Sequence, residues 1–261
     1  MNKKKNDKVI KWVDTHCHIQ HADINIEELN LENIGWLLIP GINLESSLLA
    51  LNMASSFPLQ CLWSAGLHPH EASSLDKERD KLLELFKQAD AIGETGLDYY
   101  RNLSNSTAQL RSFNMHVESA IELKKPLIVH CRDSFKDVHK IIEQNNFSAP
   151  VILHSWTGGS KWTKKFIELN VYFSFSGIIT YETAKDLQLA CEKIPIENIL
   201  LETDTPYLVP SAIDDKTNQP MYIENTARKV AEIKNVDLES LSIATINNSN
   251  KCFIEKLSPN E

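Results

Sequence analysis

No apolar run in this chain approaches the roughly 20 residues that a membrane span needs. No cysteines are spaced as CxxC: the five stand singly at 17, 61, 131, 191 and 252. An odd and scattered set excludes a disulfide scaffold and a zinc finger, and points to a reduced, cytoplasmic chain. Positive charge is not in excess either. Against 35 aspartates and glutamates there are 27 lysines and arginines, a net charge of −8. A broad basic surface of the kind that neutralises many phosphates is therefore not expected. The opening segment is basic, but Lys11, Asp14 and the histidines interrupt any signal-peptide core. No internal repeat, low-complexity tract or linker divides the chain. One domain over residues 1–261 is expected, with no membrane attachment and no obligate protein partner evident. Oligomeric state has no signature here.

What is present is a series of short apolar runs: Val9–Val13, Trp36–Ile39, Cys61–Ala65, Ala89–Ile92, Leu127–Val129, Val151–Leu153, Val171–Phe173 and Asn198–Leu201. Amphipathic stretches of helical length separate most of them. Leu110, Phe113, Val117, Ala120 and Ile121 share one helical face; Phe135, Val138, Ile141 and Ile142 share the next, and Trp162, Phe166 and Leu169 another. Continuous apolar strands alternating with helices indicate a parallel sheet covered on its faces. Eight such units indicate an α/β fold, a single-domain (β/α)8 TIM barrel, rather than an open sheet.

Polar residues reinforce that reading. Val13 leads into Asp14-Thr15-His16-Cys17-His18, and Ala65 into Gly66-Leu67-His68-Pro69-His70. Gly93-Glu94 follows Ile92, His130-Cys131-Arg132-Asp133 follows Val129, His154 follows Leu153, and Glu202-Thr203-Asp204 follows Leu201. Strand ends of a β/α barrel converge on one face, where active sites lie. His16 and His18 are two apart on a strand, so both imidazoles point the same way and can chelate one cation. Individually, Glu94 could cap a helix, His130 could bond a neighbouring strand and Asp204 could open a turn. Together with His154 they form a mixed imidazole and carboxylate set suited to Zn²⁺, Mn²⁺ or a similar ion. His21, His116 and His139 are expected on the surface, and Cys17 and Cys131 in the barrel wall.

These blocks, with Leu200-Leu201-Glu202-Thr203-Asp204-Thr205-Pro206-Tyr207 and Asn247-Asn248-Ser249-Asn250-Lys251-Cys252-Phe253, resemble the TatD family of metal-dependent deoxyribonucleases, within it the branch of bacterial TatD-related hydrolases. The resemblance runs nearly end to end. It implies a metal-dependent hydrolase barrel holding two divalent ions (zinc, manganese or magnesium). His16 and His18 would hold one ion with Asp204, His130 and His154 the other, and Glu94 would bridge them. A hydroxide between the ions would attack phosphorus, with Asp204 as general base and Glu202 behind the ligands. Arg132 and His68, and less directly His70 and Gln109, would contact the phosphate.

Two segments depart from the family's pattern. His154-Ser155-Trp156 stands where histidine-cysteine-phenylalanine is usual, and Thr217-Asn218-Gln219-Pro220 replaces arginine-asparagine-glutamate-proline. The ligands are intact, while the rim loses one cation and one anion. The expected substrate is DNA, cleaved by an exonuclease-like phosphodiesterase. The alternative is a small phosphoester, amide or ester on the same site, and a non-catalytic metal-stabilised binding protein is a third class. Tyr99, Tyr100, Trp156 and Tyr207 near the strand ends could stack bases or pack loops.

Overall fold

The computed structural model describes residues 9–21, 24–57 and 60–255; the lysine-rich opening, 1–8, lies outside them. Each expected run overlaps a strand: β1 Trp12–Asp14, β2 Ile34–Ile39, β3 Cys61–Ala65, β4 Ala91–Asp98, β5 Leu127–Arg132, β6 Val151–Leu153, β7 Tyr172–Phe175 and β8 Ile199–Leu201. All neighbouring pairs are parallel and follow chain order from β1 to β8. The ring is joined where Thr15 N donates to Leu201 O at 3.1 Å. This is the (β/α)8 barrel that the sequence indicated.

Eight α-helices occur among the described residues: α1 Leu44–Ser56, α2 Leu75–Gln88, α3 Ser106–Leu123, α4 Phe135–Glu143, α5 Ser160–Ile167, α6 Lys185–Lys193, α7 Ile223–Lys234 and α8 Leu238–Phe253. Helix α3 shows how the pattern works locally. Asn105 Oδ1 accepts from Ala108 N at its start, and Lys124 takes a left-handed conformation at its end. Its apolar stripe, Phe113, Val117 and Ala120, is buried against the sheet. The strands are buried on both faces, which is why they read as unbroken apolar runs rather than alternating ones.

One feature of β4 was invisible in its apolar content. The strand continues six residues past the last residue of the expected run, Ile92, to Asp98, and its register against β5 shifts between Ile92 and Thr95. Gly93 and Gly96 flank Glu94 with φ of 130° and 134°. A side chain on Gly93 would meet the Ile128 backbone, and one on Gly96 would collide with the His130 carbonyl. Only glycine fits this irregular stretch, which sets the Glu94 carboxylate in the barrel mouth.

Several surface expectations are corrected. His116 is fully buried: Leu67 N donates to its Nε2 at 3.0 Å and its Nδ1 donates to Ser112 O at 2.8 Å. A polar residue on a presumed outer face proves to join α3 to the β3 end. His139 is half-buried, its ring 5.1 Å from that of Phe166, and His21 is half-buried with its ring 5.7 Å from that of Tyr207. Cys17 and Cys131 are buried in the core, and all five cysteines are free. No helix among the described residues is long and apolar enough to cross a membrane.

Candidate metal centre

The mouth of the barrel gathers side chains from residues separated by most of the chain. Asp14, the last residue of β1, fixes the geometry. Thr203 N donates to its Oδ1 at 2.9 Å, Thr203 Oγ1 donates to its Oδ2 at 2.6 Å, and His16 N donates at 3.3 Å. The loops after β1 and β8 are thereby stitched together, and Asp204 N donates to His16 O at 2.9 Å beside that joint. Asp204 has φ of 56°, a left-handed conformation that aspartate tolerates better than most residues.

Around this joint, His16 Nε2 and His18 Nε2 lie 3.2 Å apart. His16 Nε2 is 3.2 Å from Glu94 Oε2 and 3.8 Å from Asp204 Oδ1; His18 Nε2 is 3.5 Å from Asp204 Oδ1 and 3.9 Å from Glu94 Oε2. Ligands held at about 2.0–2.2 Å in a tetrahedron stand roughly 3.3–3.6 Å from one another. These four atoms are arranged at close to that spacing.

The other oxygen of Glu94 faces a second group. Oε1 is 3.0 Å from His130 Nδ1, 3.3 Å from His68 Nε2 and 3.4 Å from His154 Nε2. The outer partners of these rings determine which nitrogen carries the proton. His130 Nε2 faces Asp98 Oδ2 at 3.2 Å, an acceptor, so its Nδ1 lone pair points inward. His154 Nδ1 lies 2.9 Å from Glu202 Oε1, an ion-pair separation without hydrogen-bond alignment, which leaves Nε2 facing inward. His68 is the reverse case. Its Nδ1 accepts from His70 N at 3.1 Å, so the neutral ring presents an N–H, not a lone pair, to the centre. His68 therefore suits an anion, and His130 and His154 suit a cation.

Burial and mutual charge shift these groups in different directions. Burial, aided by the neighbouring His154, pushes His16 down to about 3, and burial pushes His68 down to about 4. Burial alone would lower His154 too, but Glu202 and Glu94 outweigh it and raise this imidazole to about 10. Burial opposes ionisation of Glu94, yet His154, His68, His130 and His16 together hold its carboxyl well below the usual range. The buried carboxylate of Glu202 has no hydrogen-bond partner on either oxygen, and His16 Nδ1 has none. Such a concentration of buried lone pairs and negative charge is costly without compensation. Divalent cations fit it: His16, His18 and Asp204 on one side, His130 and His154 on the other, with Glu94 between.

The remaining expected residues fall into two classes. Arg132 is exposed at the end of β5, its guanidinium 4.1 Å over the ring of Tyr100, which is 62% exposed. His70 reaches the mouth and donates from Nε2 to Asp98 Oδ2 at 2.9 Å. Gln109 is corrected from substrate contact to scaffold. It is fully buried, its Oε1 accepts from Asp98 N at 2.8 Å, and its Nε2 donates to Asp98 O and Ser104 O. Trp156 likewise packs: its ring lies 5.2–5.5 Å from Phe135, Phe166 and Phe173, and Nε1 donates to Thr163 Oγ1 at 2.8 Å.

Sequence reasoning passed over Asp98, which joins His70 to His130. Its signal was spacing, since Glu94, Gly96 and Asp98 alternate on one strand. Asn218, retained within the altered rim segment, is buried and donates from Nδ2 to Thr203 O at 2.8 Å, holding the last strand-end loop.

A model of the family described as TatD related DNase matches residues 13–254. An uncharacterized metal-dependent hydrolase of Buchnera aphidicola is 32% identical over 256 residues, covering 92% of this chain and 95% of its own. The Bacillus subtilis hydrolase YabD, also named as metal-dependent, is 30% identical over 251 residues, covering 92% and 98%. Among solved structures, the TatD homolog YjjV of Escherichia coli superposes with a TM-score of 0.85 at 23% identity, covering 95% of this chain and all of its own. A TatD family hydrolase of Entamoeba histolytica gives 0.82 at 18% identity, covering 95% and 99%. These two likenesses concern the fold; the family match and the closer relatives carry the assignment. Matched from its first strand to its last helix, the chain belongs to the TatD family of metal-dependent hydrolases.

Proposed function

We propose that this hydrolase is a phosphodiesterase that cleaves DNA in the manner of an exonuclease, with two divalent ions in the barrel mouth. The observation that carries the reading is the division of Glu94, whose two oxygens face separate imidazole groups. A bridging carboxylate between two such groups suits phosphoryl chemistry, where both the attacking and the leaving oxygen need charge compensation. When bound, the ions neutralise the phosphate and lower the pKa of water.

The chain's own residues do the rest. Asp204 is the most accessible carboxylate of the centre, 13% exposed at the side chain against 4% for Glu94 and 1% for Glu202. It takes the proton of the attacking water as the new P–O bond forms and the ester P–O bond breaks, and the departing sugar oxygen takes up a proton from solvent and leaves as the hydroxyl. Arg132 offers its planar fork to the phosphate oxygens, while the His68 N–H faces Glu94 Oε1 and holds that carboxylate in place. Glu202 orients His154, and Asp98 orients His130. Tyr100 at the rim offers a face to a terminal base.

The test is hydrolysis of single-stranded DNA, duplex DNA, RNA and a chromogenic phosphodiester by metal-stripped protein refilled with Mn²⁺, Zn²⁺ or Mg²⁺, beside a folded Glu94→Ala control. Metal-dependent nucleotide release abolished in the control supports the reading. Cleavage of none of the nucleic acids by metal-loaded protein overturns it. The net charge of −8 would then favour a small phosphoester, amide or ester.

A further inference from the structure

Two tyrosines at the barrel mouth leave about half or more of their surface in solvent. Within residues 201–210 every residue but Tyr207 is buried or half-buried, and Tyr207 is 49% exposed. Tyr100, in the turn after β4, is more exposed still. A tyrosine exposed singly is ordinary, so the position of these two is what counts. Trp156 gives the contrast, an aromatic that only packs and is almost wholly covered.

Tyr207 stands on the β8 and β1 side of the mouth. Its N–H donates to Asp204 O at 2.8 Å, and its ring lies 6.2 Å from that of His18 and 5.7 Å from that of His21. Tyr100 stands on the β4 and β5 side. Tyr99 N donates to Arg132 O at 3.0 Å, and the Arg132 guanidinium sits over the Tyr100 ring. The strands follow chain order around a closed ring of eight, so β8 and β1 lie diametrically across from β4 and β5. The metal centre spans the space between. From Tyr207 the contacts lead through His18 and Asp204 to Glu94, then through His130 and Asp98 to the turn that carries Tyr100.

Both turns are held in place by buried groups. Asn218 Nδ2 donates to Thr203 O and Leu208 O on either side of Tyr207, and Asn218 N donates to Pro206 O at 2.9 Å. Across the turn that carries Tyr100, Arg101 N donates to Asp98 Oδ1 at 2.7 Å. A ring carried on a backbone fixed in advance loses little freedom when a ligand settles on it.

We infer that Tyr207 is a second base platform, opposite Tyr100, and that the mouth grips one unstacked dinucleotide unit across the metal centre. A phosphodiester of a nucleic acid carries one nucleoside on each side of its phosphorus, and the two tyrosines offer one ring to each. The inference rests on the phosphodiesterase reading and narrows its substrate to a single strand, since bases paired and stacked in a duplex present no face to either ring. It also explains how a protein of net charge −8 holds a nucleic acid. Stacking binds a base by its π-face and needs no broad basic surface to neutralise phosphates.

The test measures KM and kcat of metal-loaded protein for dinucleotides that differ only in their bases: thymidylyl-thymidine, and the two forms lacking the thymine on the 3′ or the 5′ side. Tyr207→Ala, Tyr207→Phe and Tyr100→Ala are compared with wild type, with melting temperature and bound metal per chain as controls. Tyr207→Ala should raise KM for thymidylyl-thymidine about fivefold or more, the loss expected for one base stacked on an aromatic, with kcat little changed. It should add no further loss on the abasic form that already lacks the base on its side. Tyr100→Ala should show the mirror image, insensitive to the other abasic form, and Tyr207→Phe should keep the wild-type pattern. Equal loss on every dinucleotide in Tyr207→Ala, as a role through His18 alone requires, overturns the platform, and so does no loss on any. A shared insensitive substrate for the two alanine variants overturns it as well, as does cleavage of a longer strand but of no dinucleotide. Metal-loaded wild-type protein that cleaves no DNA of any length sinks the phosphodiesterase reading itself.

Discussion

Asp14 and Thr203, 189 residues apart, share two hydrogen bonds, and this joint is what brings His16 and His18 up against Asp204. Neither residue faces the substrate. Replacing Asp14 by alanine strands a buried Thr203 N–H, which costs about 1–3 kcal/mol. Denaturant unfolding of metal-free protein measures that loss directly. Metal affinity, read by competition with a chelator, should fall in the same variant because the loops no longer hold the ligands in register.

Glu202 acts one step further out. Its carboxylate lies behind His154 and fixes which ring nitrogen faces inward. Glu202→Gln should weaken metal binding by about 10–100-fold, and it should also lower the unfolding free energy of the metal-free protein, because the buried His154 imidazole loses its charged partner. Titration with Zn²⁺ against a chromogenic chelator reads the change, and an unaltered affinity would remove Glu202 from the centre.

Removing metal should itself soften the fold. A ligand that binds only the native state adds about 2.7 kcal/mol at a hundred times its Kd. The melting temperature should therefore drop on chelation and return on refilling with Mn²⁺ or Zn²⁺. Glu94→Ala should show a much smaller drop, since it lacks the shared ligand.

His116 gives a pH prediction remote from the centre. Burial holds it down at about 4 in the fold, against the ordinary 6.5. The unfolded chain takes up a proton as pH falls through 6.5, whereas the folded protein does so only near 4. Stability fully present above pH 6.5 is thus lost between 6.5 and 4, by on the order of 3 kcal/mol. His116→Gln keeps an acceptor for Leu67 N but does not titrate. Its unfolding free energy should decline less steeply over that interval, and parallel curves for the two proteins would rule the burial effect out.

The aromatic residues of the rim separate by substitution. Trp156→Ala removes a fully enclosed indole and should cost about 3–5 kcal/mol. Tyr100→Ala touches an exposed ring and should stay within about 0.5 kcal/mol of wild type. Cleavage of single-stranded DNA should nevertheless weaken in the Tyr100 variant, by the 1–3 kcal/mol typical of one base stacked on an aromatic. Parallel melting and cleavage measurements decide both cases.

The barrel was legible in the chain because its strands are buried on both sides and so read as continuous apolar runs. That His16, His18, Glu94, His130, His154 and Asp204 gather in the barrel mouth was legible for a related reason: polar groups next to such runs have nowhere to go but the strand ends. What escaped was burial on helices. His116 and Gln109 look like outer-face residues by composition, and only the packing of α3 over the ends of β3 and β4 shows them bonding backbone instead. Asp98 escaped because β4 continues through glycines that contribute no apolar signal.

The joint between Asp14 and Thr203 bears on how the enzyme comes into being. Synthesis runs from the amino terminus, so His16 and His18 leave the ribosome long before Asp204 does. Until the eighth strand arrives, neither half of the centre has its shared geometry, and a nascent chain offers a passing ion only scattered imidazoles. The set of His16, His18 and Asp204 is therefore complete only once β8 has closed the ring against β1.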